Sequence, residues 1–95
     1  MTQGPPRAVH ATVRGRVQGV GYRISVVRSA DSFGLTGWVR NAVDGSVELW
    51  AQGDADAIDR FVRFLEVGPM AARVEGVVVT PGVVNPAMAS FDIRY

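Results

Sequence analysis

Along this chain, the spacing of the hydrophobic residues changes twice from the alternation of a strand to the repeat of a helix. Val9, Ala11 and Val13 alternate with polar residues, as in a half-buried strand. We predict strands at residues 9–14, 35–41, 46–52, 74–80 and 90–95, with helices at 22–33 and from Asp54 to Gly68. This order, β-α-β-β-α-β with one extra C-terminal strand, predicts two split βαβ units with both helices on one face of a sheet.

The acidic residues that open the second helix have a structural interpretation. Asp54 suits the N-cap position, and Asp56 and Asp59 lie in the first turns, where the helix dipole favours negative charge. Each is also spaced to pair with an arginine four residues later, Arg60 and Arg63 respectively. We therefore expect these carboxylates to stabilise a helix rather than to bind a metal ion.

The turn between the second and third strands sets a cross-strand register. A turn at Asp44–Gly45 that keeps the apolar residues of both strands on one face places Trp38 opposite Trp50 and Arg40 opposite Glu48. Both pairs then lie on the face that carries no helices. We interpret the tryptophan pair as cross-strand packing rather than as a ligand platform.

Several classes of chemistry are excluded by residues that the chain lacks. It has no cysteine, which removes disulfides, thiolate nucleophiles and cysteine-ligated metals, and its one histidine, His10, is predicted to face solvent. All ten basic residues are arginine, so neither a Schiff base nor the lysine of a P-loop is available. A net charge of +1 does not point to nucleic acid or to a membrane surface.

The ends of the chain predict a small free-standing protein. Residues 1–7 contain Gly4, Pro5 and Pro6 and lack the apolar core of a signal peptide, so we expect a loose tail followed by a single domain at residues 8–95. No apolar run reaches the roughly 18 residues that a membrane span needs. We expect a soluble, cytoplasmic and monomeric protein with no membrane partner.

A glycine-rich segment, Gly15-Arg16-Val17-Gln18-Gly19-Val20-Gly21-Tyr22-Arg23, joins the first strand to the first helix. Glycine allows the backbone N–H groups of such a loop to turn toward one concavity, and a helix N-terminus adds unpaired donors, so an anion site is possible. Arg23 in the first turn is unfavourable toward the helix dipole by about 0.3–1 kcal/mol, and a bound phosphate would reverse that sign. From spacing alone, an ordinary surface arginine is an equal alternative.

Asn41 is the second candidate. It ends the strand at 35–41 on the inward parity of Val39, where an uncharged polar side chain needs a hydrogen-bond partner. The commoner alternative for an isolated asparagine is a residue that simply enters a turn.

Together these segments resemble the acylphosphatase family. The match comprises residues 15–23 (GRVQGVGYR) and 34–41 (GLTGWVRN), followed by Asp44–Gly45, Val47–Glu48, Gly68–Pro69 and the terminal Phe91-Asp92-Ile93-Arg94-Tyr95. It extends from about Val9 to the last residue. Two long motifs in the right order make it specific. The departures from the family pattern are slight. The chain has Tyr22 where phenylalanine is frequent, and it lacks lysine.

The resemblance implies an α+β fold of the ferredoxin-like type, an antiparallel sheet with two helices on one face. It also implies hydrolysis of carboxyl-phosphate bonds of small acyl phosphates, releasing inorganic phosphate, without metal or cofactor. The family's phosphate-binding arginine falls on Arg23 and its water-orienting asparagine on Asn41. The backbone N–H cradle falls on Gln18, Gly19, Val20, Gly21 and Tyr22.

Three other functions fit parts of the pattern. A non-catalytic module of the same fold could hold an anion as a regulatory ligand. An RNA-binding sheet of the same element order should carry aromatic residues in a basic motif, whereas the turn into the third strand and the strand itself are acidic (Asp44, Glu48). A carbamoyl-phosphate-handling domain of a larger maturation enzyme is the third, which the short tail and the C-terminal strand disfavour.

Overall fold

The computed structural model describes residues 5–95. Its elements are β1 (Pro6–Arg16), α1 (Tyr22–Ser32), β2 (Thr36–Asn41), β3 (Val47–Asp54), α2 (Ala55–Val67), β4 (Arg73–Gly82) and β5 (Phe91–Arg94). The strands form one sheet in the order β4-β1-β3-β2-β5. All neighbouring pairs are antiparallel except β2 and β5, so the added strand makes the sheet mixed. The predicted element order and ferredoxin-like α+β fold are confirmed.

The register of β2 on β3 follows the predicted parity. Trp38 pairs with Trp50 and Arg40 pairs with Glu48, as expected. On the same face His10 is not simply solvated, because its Nε2 atom lies 2.6 Å from Glu48 Oε2. The Glu48 carboxylate therefore joins the His10 and Arg40 side chains across three strands.

The first strand begins earlier than the sequence predicts. Residues 1–7 were expected to form a loose tail, but Pro6 and Arg7 pair with β3, opposite Asp54 and Gly53. A proline is tolerated as the first residue of a strand because no ladder N–H is needed there. Arg7 also donates to Asp59 Oδ1 at 2.6 Å, so Asp59 binds this arginine rather than Arg63. Residues 1–4 of the expected tail lie outside the described residues.

Both helices pack on one face of the sheet. Helix α1 buries Tyr22, Val26 and Ala30 and ends before Gly34, which adopts a left-handed φ of 69° as predicted for a glycine after a helix. Helix α2 buries Ile58, Phe61 and Leu65. Asp54 does occupy the N-cap position of α2, but its side chain makes no capping hydrogen bond. Among the described residues, no helix is both long and apolar enough to cross a bilayer.

The Tyr22 side chain links the start of α1 to the end of α2. Its hydroxyl donates to the Leu65 carbonyl oxygen at 2.8 Å in the buried core. Pro69 stands four residues after Leu65 and has no N–H to donate, so the tyrosine supplies the hydrogen bond that the helix cannot. Burial also raises the pKa of the Tyr22 phenol, which keeps the donor proton in place.

We predict that Tyr22→Phe lowers the free energy of unfolding by about 1–2 kcal/mol, because it leaves the buried Leu65 carbonyl without its donor. The measurement is the midpoint of urea unfolding. Tyr95→Phe is the matched control, since the exposed Tyr95 hydroxyl has no hydrogen-bond partner in residues 5–95. Equal midpoints for the two variants would contradict the capping role.

The sheet brings the two candidate segments to the same end of its strands. Strands β1 and β2 both run antiparallel to β3, and their residues Val13 and Asn41 are the two neighbours of Val47. The glycine-rich loop begins only a few residues beyond Val13. The loop and the end of β2 therefore lie at the same end of the sheet.

Candidate active site

The loop at 17–21 needs glycine for its backbone angles. Gly19 and Gly21 have φ angles of 75° and 77°, in the left-handed region that other residues enter at a cost of about 1–2 kcal/mol. An added Cβ at either position would meet no atom within 4 Å. The requirement therefore comes from the backbone conformation and not from crowding, and space next to both glycines is open.

The N–H groups of this loop have no partner in the part of the protein that the structure describes. Within residues 5–95, the amides of Gln18, Gly19, Val20, Gly21 and Tyr22 donate to no backbone carbonyl and to no side chain. Helix α1 starts at the same place with Gly21 as its N-cap, without a capping side chain and without an acidic residue in its first turn. Unpaired donors and an uncompensated positive helix end together favour an anion.

Arg23 lies beside these amides in a small cleft. The cleft has a volume of about 220 Å³ and is lined by Gly19, Gly21, Tyr22 and Arg23, among other residues. In the part of the chain that the structure describes, no carboxylate pairs with Arg23, that of Tyr95 included. The Arg23 guanidinium carbon instead lies 5.4 Å from the centre of the Tyr95 ring. The cation is thus available for a ligand.

A larger hollow of about 680 Å³ lies between the start of β1, the end of β4 and helix α2. It contains none of the residues that the sequence singles out for function. The smaller cleft therefore remains the better candidate, because it combines a free cation with unpaired backbone donors.

Asn41 ends β2, and its side chain carries a buried polar atom. Its Oδ1 atom is buried, and the residues from 5 to 95 provide it with no hydrogen bond. An unsatisfied buried acceptor costs about 1–3 kcal/mol, so such atoms in native proteins are commonly matched by a ligand or by water. The arrangement leaves an oriented acceptor ready to receive a hydrogen bond from a small molecule.

The Gln18 side chain connects the loop to the hairpin that carries Asn41. Its amide nitrogen donates to the carbonyl oxygens of Ala42 and Ser46, at 2.8 and 2.9 Å. The sequence pointed only to the backbone of Gln18, because a single sequence does not show which glutamine will span two segments. This side chain holds the loop beside the residue that follows Asn41.

The hairpin turn is itself fixed by a carboxylate. Asp44 Oδ1 accepts hydrogen bonds from the Ser46 hydroxyl and backbone N–H, at 2.6 and 3.0 Å, and Arg14 donates to Asp44 Oδ2 at 3.1 Å. These contacts, led by the Ser46 hydroxyl, lower the pKa of Asp44 from 3.8 to about 2. The ionised form of Asp44 is therefore the one that stabilises the turn.

We predict that acid weakens this turn in a defined pH range. Because folding depresses the pKa of Asp44, its stabilising contribution is complete above its ordinary pKa of 3.8 and is lost as the pH falls through about 2. The melting temperature of Asp44→Asn should therefore fall less between pH 4 and pH 2 than that of the unmodified chain. If the melting temperatures of the two proteins fall equally between pH 4 and pH 2, the assignment is refuted.

The predicted site residues are only partly brought together. Gly19, Gly21, Tyr22 and Arg23 share one cleft, whereas Asn41 does not line it. Gln18 joins the loop to Ala42, the residue that follows Asn41. The Val20 side chain packs on the core, and neither Gln18 nor Val20 is among the residues that line the cleft. Within the described residues, no group of three or more His, Asp or Glu side chains could hold a metal ion.

Comparison with known proteins places the chain in a family. The model of the acylphosphatase family matches residues 9–93. An acylphosphatase from Methylococcus capsulatus is 47% identical over 87 residues, which cover 92% of this chain and 95% of the relative. The structure of an acylphosphatase from Coxiella burnetii superposes with a TM-score of 0.90 at 41% identity, covering 99% of this chain and 100% of that one.

A larger protein also contains a similar domain. Full-length HypF, crystallised in a phosphate- and nucleotide-bound form, is 25% identical with a TM-score of 0.86, and the match covers 96% of this chain but 12% of HypF. The Methylococcus and Coxiella proteins are more similar and match along nearly their whole length. With a family model matched over most of its residues, the chain belongs to the acylphosphatase family and is an acylphosphatase hydrolase.

Proposed function

We propose that this enzyme hydrolyses small acyl phosphates by an attack of water that Asn41 positions, while Arg23 and the amides of residues 18–22 hold the phosphate. Membership of the acylphosphatase family supports the substrate class, an acyl phosphate, and the product, inorganic phosphate. The observation that carries the mechanism is the run of five backbone N–H groups, beside the uncapped start of α1, that have no partner within residues 5–95.

The charges of the site match those of an acyl phosphate. Its phosphoryl group carries negative charge on oxygens that can accept from the loop amides, and the Arg23 guanidinium can bind two of them at once. The same groups stabilise charge that is spread over these oxygens in the transition state. Binding of phosphate also converts Arg23 from a cation that opposes the helix dipole into one that neutralises a ligand.

Asn41 is proposed to orient the attacking water. A water that donates one hydrogen to the buried Oδ1 atom would satisfy this unpaired acceptor and fix the direction of a water lone pair. The water oxygen forms a bond to phosphorus while the bond from phosphorus to the acyl oxygen breaks, releasing a carboxylate. A phosphoryl oxygen of the substrate takes the water proton, so the products are a carboxylate and inorganic phosphate.

This chemistry requires no group that the chain lacks. The carboxylate is a weakly basic leaving group, so it departs without a general acid, and the phosphate oxygen replaces a protein base. Arg23 and the loop amides supply the positive charge that a metal would otherwise contribute. We accordingly propose an enzyme that needs neither a metal nor a cofactor.

We further propose that the enzyme works as a cytoplasmic monomer without a nucleic-acid or membrane partner. Each proposed site residue comes from one chain. The net charge of +1 gives no strong electrostatic attraction to nucleic acid or to an anionic membrane surface. Gel filtration over a range of protein concentrations tests the oligomeric state, with one monomer-sized peak expected throughout.

The test of function is the release of phosphate from benzoyl phosphate by the purified protein, with and without EDTA. We expect saturable turnover, competitive inhibition by inorganic phosphate and no effect of EDTA. Phosphate binding without turnover would instead support the alternative of a non-catalytic anion-binding module. Activity that EDTA abolishes and a divalent cation restores would contradict the metal-free mechanism.

A further inference from the structure

One side of the cleft that contains Arg23 is apolar, and the proposed binding of phosphate does not involve it. Besides Arg23 and the loop residues, the cleft is lined by Ile24, Ile93 and Tyr95, with Val17 also contributing. The isoleucines come from two different elements, Ile24 from α1 and Ile93 from β5. Large apolar side chains therefore adjoin the backbone donors and the cation.

Two of these side chains are unusually exposed for their size. Ile24 is 54% exposed and Tyr95 is fully exposed, whereas Ile93 is partly buried and packs against the core. Neighbouring apolar side chains at the mouth of a concave site commonly contact a ligand, while scattered ones need no such explanation. Here all three line one cleft, and the Tyr95 ring also lies over the Arg23 guanidinium.

The shape of an acyl phosphate decides what these side chains would meet. Only the bridging oxygen and the carbonyl carbon separate the phosphorus from the remainder of the acyl group. If the phosphate binds to Arg23 and to the amides of the loop, the acyl group has to lie within the same cleft of about 220 Å³ or at its mouth. It would then contact Ile24, Ile93 and Tyr95.

The lining also indicates which acyl groups would be favoured. Arg23 is the one charged side chain that lines the cleft within residues 5–95, and the phosphate occupies it. A second negative charge on the acyl group would find no further cation there. An apolar acyl group would instead remove the exposed surfaces of Ile24 and Tyr95 from water, and an aromatic one could also stack on the Tyr95 ring.

We propose that Ile24, Ile93 and Tyr95 form an acyl-binding wall that selects acyl phosphates with bulky apolar or aromatic acyl groups. This proposal rests on the proposed function and adds the substrate class. The three residues contact the acyl group, while Arg23 and the loop amides hold the phosphate. The wall should therefore affect KM for substrates with a large acyl group more than it affects the binding of inorganic phosphate.

The test compares benzoyl phosphate with acetyl phosphate, which share the reacting bond but differ in the acyl group. For Ile24→Ala and for Tyr95→Ala, the ratio of kcat/KM for benzoyl phosphate to that for acetyl phosphate should fall about 5-fold, mainly through KM for benzoyl phosphate. In Ile24→Ala the inhibition constant of inorganic phosphate should stay within about 2-fold of the unmodified value, because phosphate does not reach the wall.

Two further variants serve as controls. Ile24→Leu keeps the apolar area and should retain most of the unmodified ratio. Val78→Ala shortens a side chain of similar exposure (61%) on β4 and should leave kcat/KM unchanged for both substrates. An unchanged ratio in both Ile24→Ala and Tyr95→Ala, in an enzyme that hydrolyses both substrates, would overturn the wall alone. Failure of the unmodified protein to hydrolyse either substrate would overturn the proposed function instead.

Discussion

Replacing Arg23 with glutamine is expected to abolish turnover of benzoyl phosphate and inhibition by inorganic phosphate together. Arginines that stabilise the transition state of phosphoryl transfer contribute about 10³–10⁵-fold to the rate, so we expect kcat/KM to fall by at least about 10³-fold. Glutamine retains a polar side chain but is shorter and loses the charge and the two-pronged donor. The measurement is steady-state kinetics with phosphate as the competitor.

The same variant has a distinctive effect on stability. In phosphate-free buffer, Arg23→Gln should be more stable by about 0.3–1 kcal/mol, because a cation no longer opposes the start of α1. Inorganic phosphate should raise the melting temperature of the unmodified protein but not that of the variant. Arg28→Gln changes an exposed arginine of the same helix and should keep both the activity and the phosphate response. Phosphate inhibition that survives in Arg23→Gln would contradict the phosphate site.

Replacing Asn41 with alanine is expected to remove turnover while leaving the binding of inorganic phosphate intact. Loss of one positioning or charge-stabilising contact in an active site lowers kcat by about 10²–10³-fold, and we expect an effect of that size. The folded protein should lose little stability, because the Asn41 Oδ1 atom satisfies no other group among residues 5–95. The measurements are kcat, the inhibition constant of phosphate and the urea midpoint.

The other asparagine of the chain provides the control. Asn85→Ala removes the hydrogen bond that the Ala87 N–H donates to Asn85 Oδ1, within the connection between β4 and β5, and should leave kcat unchanged. A rate for Asn41→Ala equal to that of the unmodified protein would exclude the water-orienting role. A loss of phosphate affinity in Asn41→Ala would instead make Asn41 part of the phosphate site.

Much of the fold is accessible from the sequence because it depends on parity and period. The pairing of Trp38 with Trp50 follows from keeping the apolar residues of both strands on one face, and the structure agrees. Two features were not predicted, because they depend on contacts between residues that are far apart in the sequence. The strand β1 extends back to Pro6 because β3 is long enough to pair with it, and Asp59 prefers Arg7, which is 52 residues away. Local pattern cannot indicate such partners.

The candidate site shows a similar division. Arg23 stands out in the sequence because a cation in the first turn of a helix is unfavourable without an anion. Asn41 gives only a weak signal by itself, since an asparagine before a turn is common, and the family resemblance was needed to single it out. The amide bridge of Gln18 and the hydrogen bond from Tyr22 to Leu65 leave no local trace, because each joins residues from different elements.

The bridge made by Gln18 has a consequence for how the protein acquires its activity. The glutamine reaches carbonyl oxygens that lie 24 and 28 residues further along the chain. A folding intermediate that contains β1 and α1 alone would have the loop but not its contacts with Ala42 and Ser46. The proposed water and phosphate sites would therefore not be held together. In a refolding experiment, the return of catalysis should therefore coincide with docking of the β2–β3 hairpin. It should not coincide with the earlier rise of the helical circular-dichroism signal.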